Sequence, residues 1–385
     1  MAFIGFGKIN KNIIPLILGC VFCILNRVIN SYEGTKLFKN VILTNIFVTL
    51  SHSLIILPYI IYTIVTIKCL KNKEAYNKPG QGKVDETKRS KYIYSGNNIG
   101  SSKKKYLLIV LTGLILFINH NLFIYTIPVK SNAWTIYIVF ASLFYYLIFK
   151  SKLYLHHYLS IGLILVFSII IDAVVGNLKD DILNEIGKFF LSILKVIILS
   201  FDTVLIKYTM EKKYVSPYII GSIDGLICLV LFIIFGVIDH FCLHLNNYSE
   251  YFKNFNTTEL LVLLGVMSTH LGVYTTVLLV DKNDSPCHIF IVFTFGQFGY
   301  FFHKNLHDGG KLVVIIIFFI LMIFFSLVFN EIIELRFLGL DYNIKRNIAE
   351  RAELDLDEAM MSRVDTDKSE ETIALSYKLD ENNNE

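Results

Sequence analysis

Charge is scarce in this sequence. Asp, Glu, Lys and Arg make up 18% of its 385 residues, against about 25% in a soluble globular protein. There are six prolines and a single tryptophan, Trp134. No phosphate-binding P-loop, GxSxG elbow or HExxH pair occurs, so the common signatures of nucleotide hydrolysis, serine hydrolysis and zinc peptidase chemistry are missing. Nor is there a clustered acid/base set near one membrane face, and an enzyme is not expected. Six cysteines make no disulfide framework. Cys20, Cys23 and Cys228 lie within apolar runs, Cys69 and Cys287 near run ends and Cys242 in a loop; they read as small packing residues. The Cys20-x-x-Cys23 pair has no second ligand pair, so no zinc and no cofactor is expected.

What fills the sequence is apolar. Hydrophobic residues make up 54% and mean hydropathy is +0.56. They come in long blocks, which excludes a disordered chain, collagen and an ordinary soluble domain, and predicts an all-α, polytopic membrane protein. Ten runs approach the roughly 20 residues a helix needs to cross the hydrocarbon. They are Ile13 to Ile29, Val41 to Ile67, Tyr106 to Ile127, Ala133 to Phe149 and His157 to Gly176, then Phe189 to Ile206, Pro217 to Ile238, Leu260 to Val280, Cys287 to Phe302 and Leu312 to Phe329. The first lacks a small-x-small cleavage site after it and reads as a span, not a signal peptide.

Charge placement gives an orientation. With the N-terminus in the cytosol, nineteen Lys and Arg flank the spans on the cytosolic face and nine on the other. Both termini are therefore expected in the cytosol. Residues 71–105 form a basic cytosolic loop. The segment 331–385 carries fifteen acids and seven bases and reads as a disordered tail. Neither segment has the arginine–aromatic interleaving of a nucleic-acid groove. The loop 239–259 falls on the far side and holds the sequon Asn247-Tyr248-Ser249, so Asn247 is the expected glycan acceptor.

Ten spans divide into two sets of five. An odd number per set forces opposite orientations, the inverted repeat of secondary carriers. Residues 131–153 and 284–306 align at an offset of 153. There Ile136, Ile138, Val139, Phe140, Phe149 and Leu153 meet Ile289, Ile291, Val292, Phe293, Phe302 and Leu306. The expected units are 1–206 (a first five-helix repeat and the start of the sixth helix), 207–330 and the tail.

Polar residues inside these runs are the candidate site, because an ionisable side chain at bilayer depth costs at least about 2.5–3.5 kcal/mol and usually faces a cavity. Lys195 and Asp202 are two turns apart on one face of the sixth span, about 10 Å along the axis. Asp224 lies in the seventh span at the same expected depth as Asp202. These residues read as a substrate or proton site, or alternatively as a structural Lys–Asp pair. Asn119, His120 and Asn121, with Tyr125 below them, end the third span. His270 is the counterpart of His120 in the eighth, and Gln297 sits in the ninth. Hydrogen bonding between helices is the structural alternative for this second group. His156-His157, at a span end beside Tyr154 and Tyr158, reads as an interfacial anchor.

Ten spans in two inverted halves, the link Lys207-Tyr208-Thr209-Met210-Glu211-Lys212-Lys213-Tyr214-Val215-Ser216-Pro217, and the stretch from Asn119 to Ala133 together resemble the drug/metabolite transporter superfamily, in its nucleotide-sugar-transporter-like branch. The resemblance covers about residues 10–330. The Gly-Ala-Leu-Asn-Lys motif of guanosine-type carriers is absent, and the basic 71–105 insertion is unusual for the family. The resemblance implies an antiporter of Golgi or endoplasmic reticulum membranes that exchanges a nucleotide sugar for a nucleoside monophosphate. The expectation is thus an alternating-access carrier for an anionic, nucleotide-linked or phosphorylated metabolite, with Lys195 as counter-charge. Its rivals are a proton-coupled carrier using Asp202 or Asp224, and a non-transporting receptor or scaffold. The expected partners are a small-molecule substrate and the lipid bilayer, with a homodimer left open, and no nucleic acid.

Overall fold

The computed structural model describes residues 4–6, 13–30, 41–57, 60, 61, 64, 103–126, 133–175, 182–213, 215–243 and 256–335. Residues 71–102 of the basic loop, Asn247 and the tail beyond 335 lie outside the described residues, and the last three residues of that loop, Lys103 to Lys105, open a helix instead. Among the described residues are ten α-helices: α1 Ile13–Asn30, α2 Val41–Ser53, α3 Lys103–Thr126, α4 Ile136–Phe149, α5 Leu155–Val175, α6 Ile182–Lys213, α7 Pro217–Ile238, α8 Thr257–Asn283, α9 Ile289–Lys304 and α10 Gly309–Phe329. Two three-residue strands, β1 Ile4–Phe6 and β2 Ile333–Leu335, pair antiparallel.

Five helical stretches are long and apolar enough to cross a membrane: Leu155–Val174, Phe189–Lys213, Pro217–Cys242, Thr257–Asn283 and Gly309–Phe329. Three shorter ones, Ile13–Ile29, Tyr106–Leu122 and Ile136–Phe149, are also apolar. Their outer faces carry large bare hydrophobics, such as Ile14, Leu107, Ile169 and Ile320. Such a surface suits lipid, whereas in water it is an aggregation liability. The second apolar run is interrupted. After Ser53 the hydrogen bonds shorten to three-residue spacing, Ile55 N–H to His52 O and Leu57 N–H to Leu54 O.

Helix starts and ends follow local chemistry. Ser216-Pro217 opens α7, with proline where a helix has a spare N–H. Asn256 caps α8 by accepting from Glu259 N–H, and Asp308 caps α10 by accepting from Lys311 N–H. That bond and the Lys311 ammonium, 3.2 Å away, hold the exposed Asp308 carboxyl below the usual carboxylate range. Two helices begin with a 3-10 turn: Ala133–Thr135 leads into α4, and Pro286–His288 into α9.

The helix pairings are specific. α1 packs on α8 and α9, and α6 on α3 and α4; α2 meets α8 and α7 meets α3; α2 crosses α7 and α5 crosses α10. Glycines set the closest crossings. A Cβ on Gly225 would strike Ser53 N and come within 2.7 Å of the His52 carbonyl carbon, so backbone meets backbone where α2 crosses α7. A Cβ on Gly296 would strike the Cys23 sulfur, so backbone meets side chain where α1 meets α9. The main core lies between α1, α4, α6, α9 and α10, around Tyr137, Ile289, Phe290 and Phe319. Tyr137 is fully buried there. Its hydroxyl donates to Pro286 O at 3.1 Å and shares a hydrogen bond with Thr203 at 2.9 Å, so α4 is tied to α6 and to the turn before α9.

Candidate functional site

Three polar groups occupy the interior. The first gathers on Trp134, in the turn before α4. The Lys195 ammonium from α6 lies 4.9 Å from its ring centroid, and the Arg27 guanidinium from α1 lies 5.6 Å from it. Cations at these distances are attracted by the negative face of an indole. Lys195 is buried and Arg27 half-buried. A narrow cleft beside them, with about 10 Å³ of free space, is lined by Trp134, Thr135, Phe293, Thr294, Gln297 and Met322; that is room for about one water. Lys195 and Gln297, predicted from different helices, are thus neighbours of one tryptophan.

The second group is aromatic and imidazole-rich. His52 on α2 stacks on Tyr274 of α8 with centroids 4.2 Å apart. The rings of His120 and His270 lie 5.6 and 6.1 Å from it. The fold therefore brings His120 and His270 to the same place, with His52 between them. Sequence reading did not single out His52. The visible signal was Ser51-His52-Ser53, a polar triplet in an apolar run, of the same kind as Asn119-His120-Asn121. Within the latter, Asn119 is buried with its amide oxygen lacking a hydrogen-bond partner, while the Asn121 amide donates to Phe117 O of its own helix.

Asp224 precedes Gly225, which packs against His52 of this group. Thr112 on α3 donates to Asp224 Oδ1 at 2.9 Å, leaving Asp224 Oδ2 without a hydrogen bond. Asp202 Oδ1 is likewise buried and without one. Buried polar atoms are nearly always paired, so such exceptions need a cause. The Tyr125 side chain and Asn247 fall outside the described residues.

The third group was hidden from sequence reading. Lys207, counted there as a flanking cytosolic cation, is 2% exposed. Its ammonium donates to the carbonyls of Asp281 at 2.6 Å, Lys282 at 3.0 Å and Asp284 at 3.0 Å, and pairs with Glu211 at 3.0 Å. It caps the end of α8, whose last carbonyls have no partner within the helix and carry the negative end of its dipole. Both carboxylate oxygens of the neighbouring Asp281 are buried without hydrogen bonds.

No protein family and no curated protein matches the sequence. Thirteen solved chains are similar in structure. One of them, described only as "Crystal structure of protein", shares 10% identity over 83% of this chain and 96% of its own, with a TM-score of 0.54. The likeness takes in nearly the whole of that chain and shows the fold alone.

Proposed function

We propose that the protein is a secondary carrier with ten membrane helices in two inverted sets of five, working by alternating access. The helix pairing supports this reading. Adding five to each label, and returning past ten to one, turns α1 with α8 and α9 into α6 with α3 and α4. It also turns α2 with α8 into α7 with α3, and leaves the α2–α7 and α5–α10 pairs unchanged. The two 3-10 turns, at 133–135 and 286–288, stand at the same offset of 153 as the sequence repeat. Opposite orientation follows from the odd number of helices per set.

The substrate class is an anionic, nucleotide-linked or phosphorylated metabolite, as the family resemblance implies. The observation that carries this is the convergence of Arg27 and Lys195, from different helices, on Trp134 beside the cleft. An anion there meets two cations, and an aromatic ring gives a base a surface to stack on. The location that goes with this substrate is the Golgi or endoplasmic reticulum membrane, with both termini cytosolic. A second reading, proton coupling through Asp202 or Asp224, is favoured by the buried carboxyl oxygens that lack hydrogen bonds on both residues. Reconstitution into liposomes with UMP or CMP trapped inside separates the two. The anion reading expects uptake of a labelled nucleotide sugar that depends on the trapped nucleotide. Uptake driven by a pH gradient and indifferent to trapped nucleotide refutes it.

A further inference from the structure

α5 opens with Leu155-His156-His157, and α10 closes at Phe329. Packing of α5 along α10 brings these ends together, although about 170 residues separate them in the chain. Just past α10, Glu331 adopts a left-handed backbone, with φ of 58°. That conformation costs a non-glycine residue about 1–2 kcal/mol, and it accompanies a carboxylate held 3.6 Å from His156 Nε2. The His156 and His157 rings lie 4.0 Å apart, and His157 is braced by the edge of Phe329 at 4.9 Å. One ligand atom from each of His156, His157 and Glu331 falls within 4.8 Å of the others, and this is the one such trio of metal-ligating residues among the described residues.

We propose that His156, His157 and Glu331 form a transition-metal site of the zinc class, clamping the start of α5 to the end of α10. Two features separate this site from an incidental cluster. His156 is 3% exposed, yet neither of its ring nitrogens has a hydrogen-bond partner. A buried imidazole that makes no hydrogen bond is costly unless something else takes its lone pair. The 3.6 Å separation from Glu331 is also too long for a hydrogen bond. It is close to the spacing of two ligands on a tetrahedral ion, where arms of about 2.1 Å set neighbouring ligand atoms about 3.4 Å apart.

Two imidazoles and a carboxylate suit zinc, copper or nickel better than calcium or magnesium, which take oxygen ligands. His157 Nδ1 now accepts from Tyr154 N–H at 3.1 Å. Ligation through Nε2 moves the proton to Nδ1 and gives up that bond, a net loss of about 1 kcal/mol. Metal binding exceeds this easily. His157 and Glu331 are half-buried and offer the ion a way in, with water completing its shell.

The competing account is a plain ion pair between protonated His156 and Glu331. Full-length protein in detergent, stripped of metal and then given Zn2+ alone, is assayed for bound metal by elemental analysis. Co2+ alone is used in parallel and read by its visible absorption. The site requires one Zn2+ per wild-type chain and the visible bands of imidazole-bound Co2+. It also requires loss of both in Glu331→Gln and His157→Gln proteins that remain monodisperse. Wild type without bound metal, or Glu331→Gln binding as much as wild type, leaves an ion pair only and overturns the proposal. If neither variant is monodisperse, a His52→Gln, His270→Gln protein decides: Co2+ bands that persist in it support the site, and bands that vanish place the metal at the other histidine group and overturn the proposal.

Discussion

Replacing Lys207 with methionine keeps the length and apolar stem of the side chain and removes only its ammonium. Three carbonyls, those of Asp281, Lys282 and Asp284, then lose the donor they share. Leaving a buried acceptor unsatisfied costs about 1–3 kcal/mol, so the three together set a loss of about 3–9 kcal/mol. Against this stands the desolvation of the wild-type ammonium, several kcal/mol, which the substitution recovers. The net expectation is a destabilisation near 3 kcal/mol. At roughly 2 °C per kcal/mol for a chain of this size, the thermal midpoint in detergent, followed by size-exclusion recovery, should fall by about 6 °C. The Glu211 partner is 43% exposed, and such a pair contributes less than about 1 kcal/mol. Glu211→Gln should therefore move the midpoint little. The capping argument fails if Lys207→Met melts with wild type, or if Glu211→Gln is as damaging as Lys207→Met.

Further outcomes follow from the same geometry. Lys195→Gln should weaken nucleotide-sugar uptake about 10- to 100-fold, the worth of a charged hydrogen bond, with Lys195→Arg retaining part and Asp202→Asn harming less; an active Lys195→Gln beside a dead Asp202→Asn would promote proton coupling instead. Gly225→Ala, whose Cβ meets the backbone of His52 and Ser53, should destabilise by about 1–3 kcal/mol, while Gly162→Ala, with nothing within 4 Å, should be neutral or slightly stabilising; equal midpoints would remove the case for a tight α2–α7 crossing. Peptide-N-glycosidase treatment should remove a glycan from wild type but find none in Asn247→Gln, and protease added to sealed microsomes should cut the 71–105 loop and the tail; protection of either segment reverses the orientation. Truncation at Asn347 should leave uptake intact, and a well-folded but inactive truncation would give the tail a role in transport.

The helices were legible because apolar blocks need no knowledge of neighbours. Five of the ten expected runs are helices long and apolar enough to cross a membrane, and three more are shorter apolar helices. The proposed repeat rests, in the sequence, on side-chain identities at 136–153 and 289–306. The 3-10 turn before α4 and the one before α9 were not legible, because short turns leave no periodicity to read. Lys195 and Gln297 stood out as polar residues in apolar runs. Nothing along the chain said that both would meet Trp134, since adjacency across helices is decided by packing. Lys207 was misjudged for a related reason. A lysine near a span end normally reaches for water, and only the nearby end of α8 gives this one three carbonyls to hold. His52, Asp281 and Glu331 were passed over because each acquires its meaning from a residue more than sixty positions away.

Trp134 is the only tryptophan among 385 residues. Light absorbed by indole but not by the twenty-two tyrosines therefore excites a single point in the molecule, the turn that carries Arg27 and Lys195 on its ring and forms one wall of the cleft. Indole emission follows the electric field across the ring and the polarity around it. A ligand entering the cleft alters both. The wild-type chain is thus its own unlabelled optical probe: its emission can be titrated with a candidate solute in detergent or in vesicles, and the affinity read with no fluorophore added and no residue replaced.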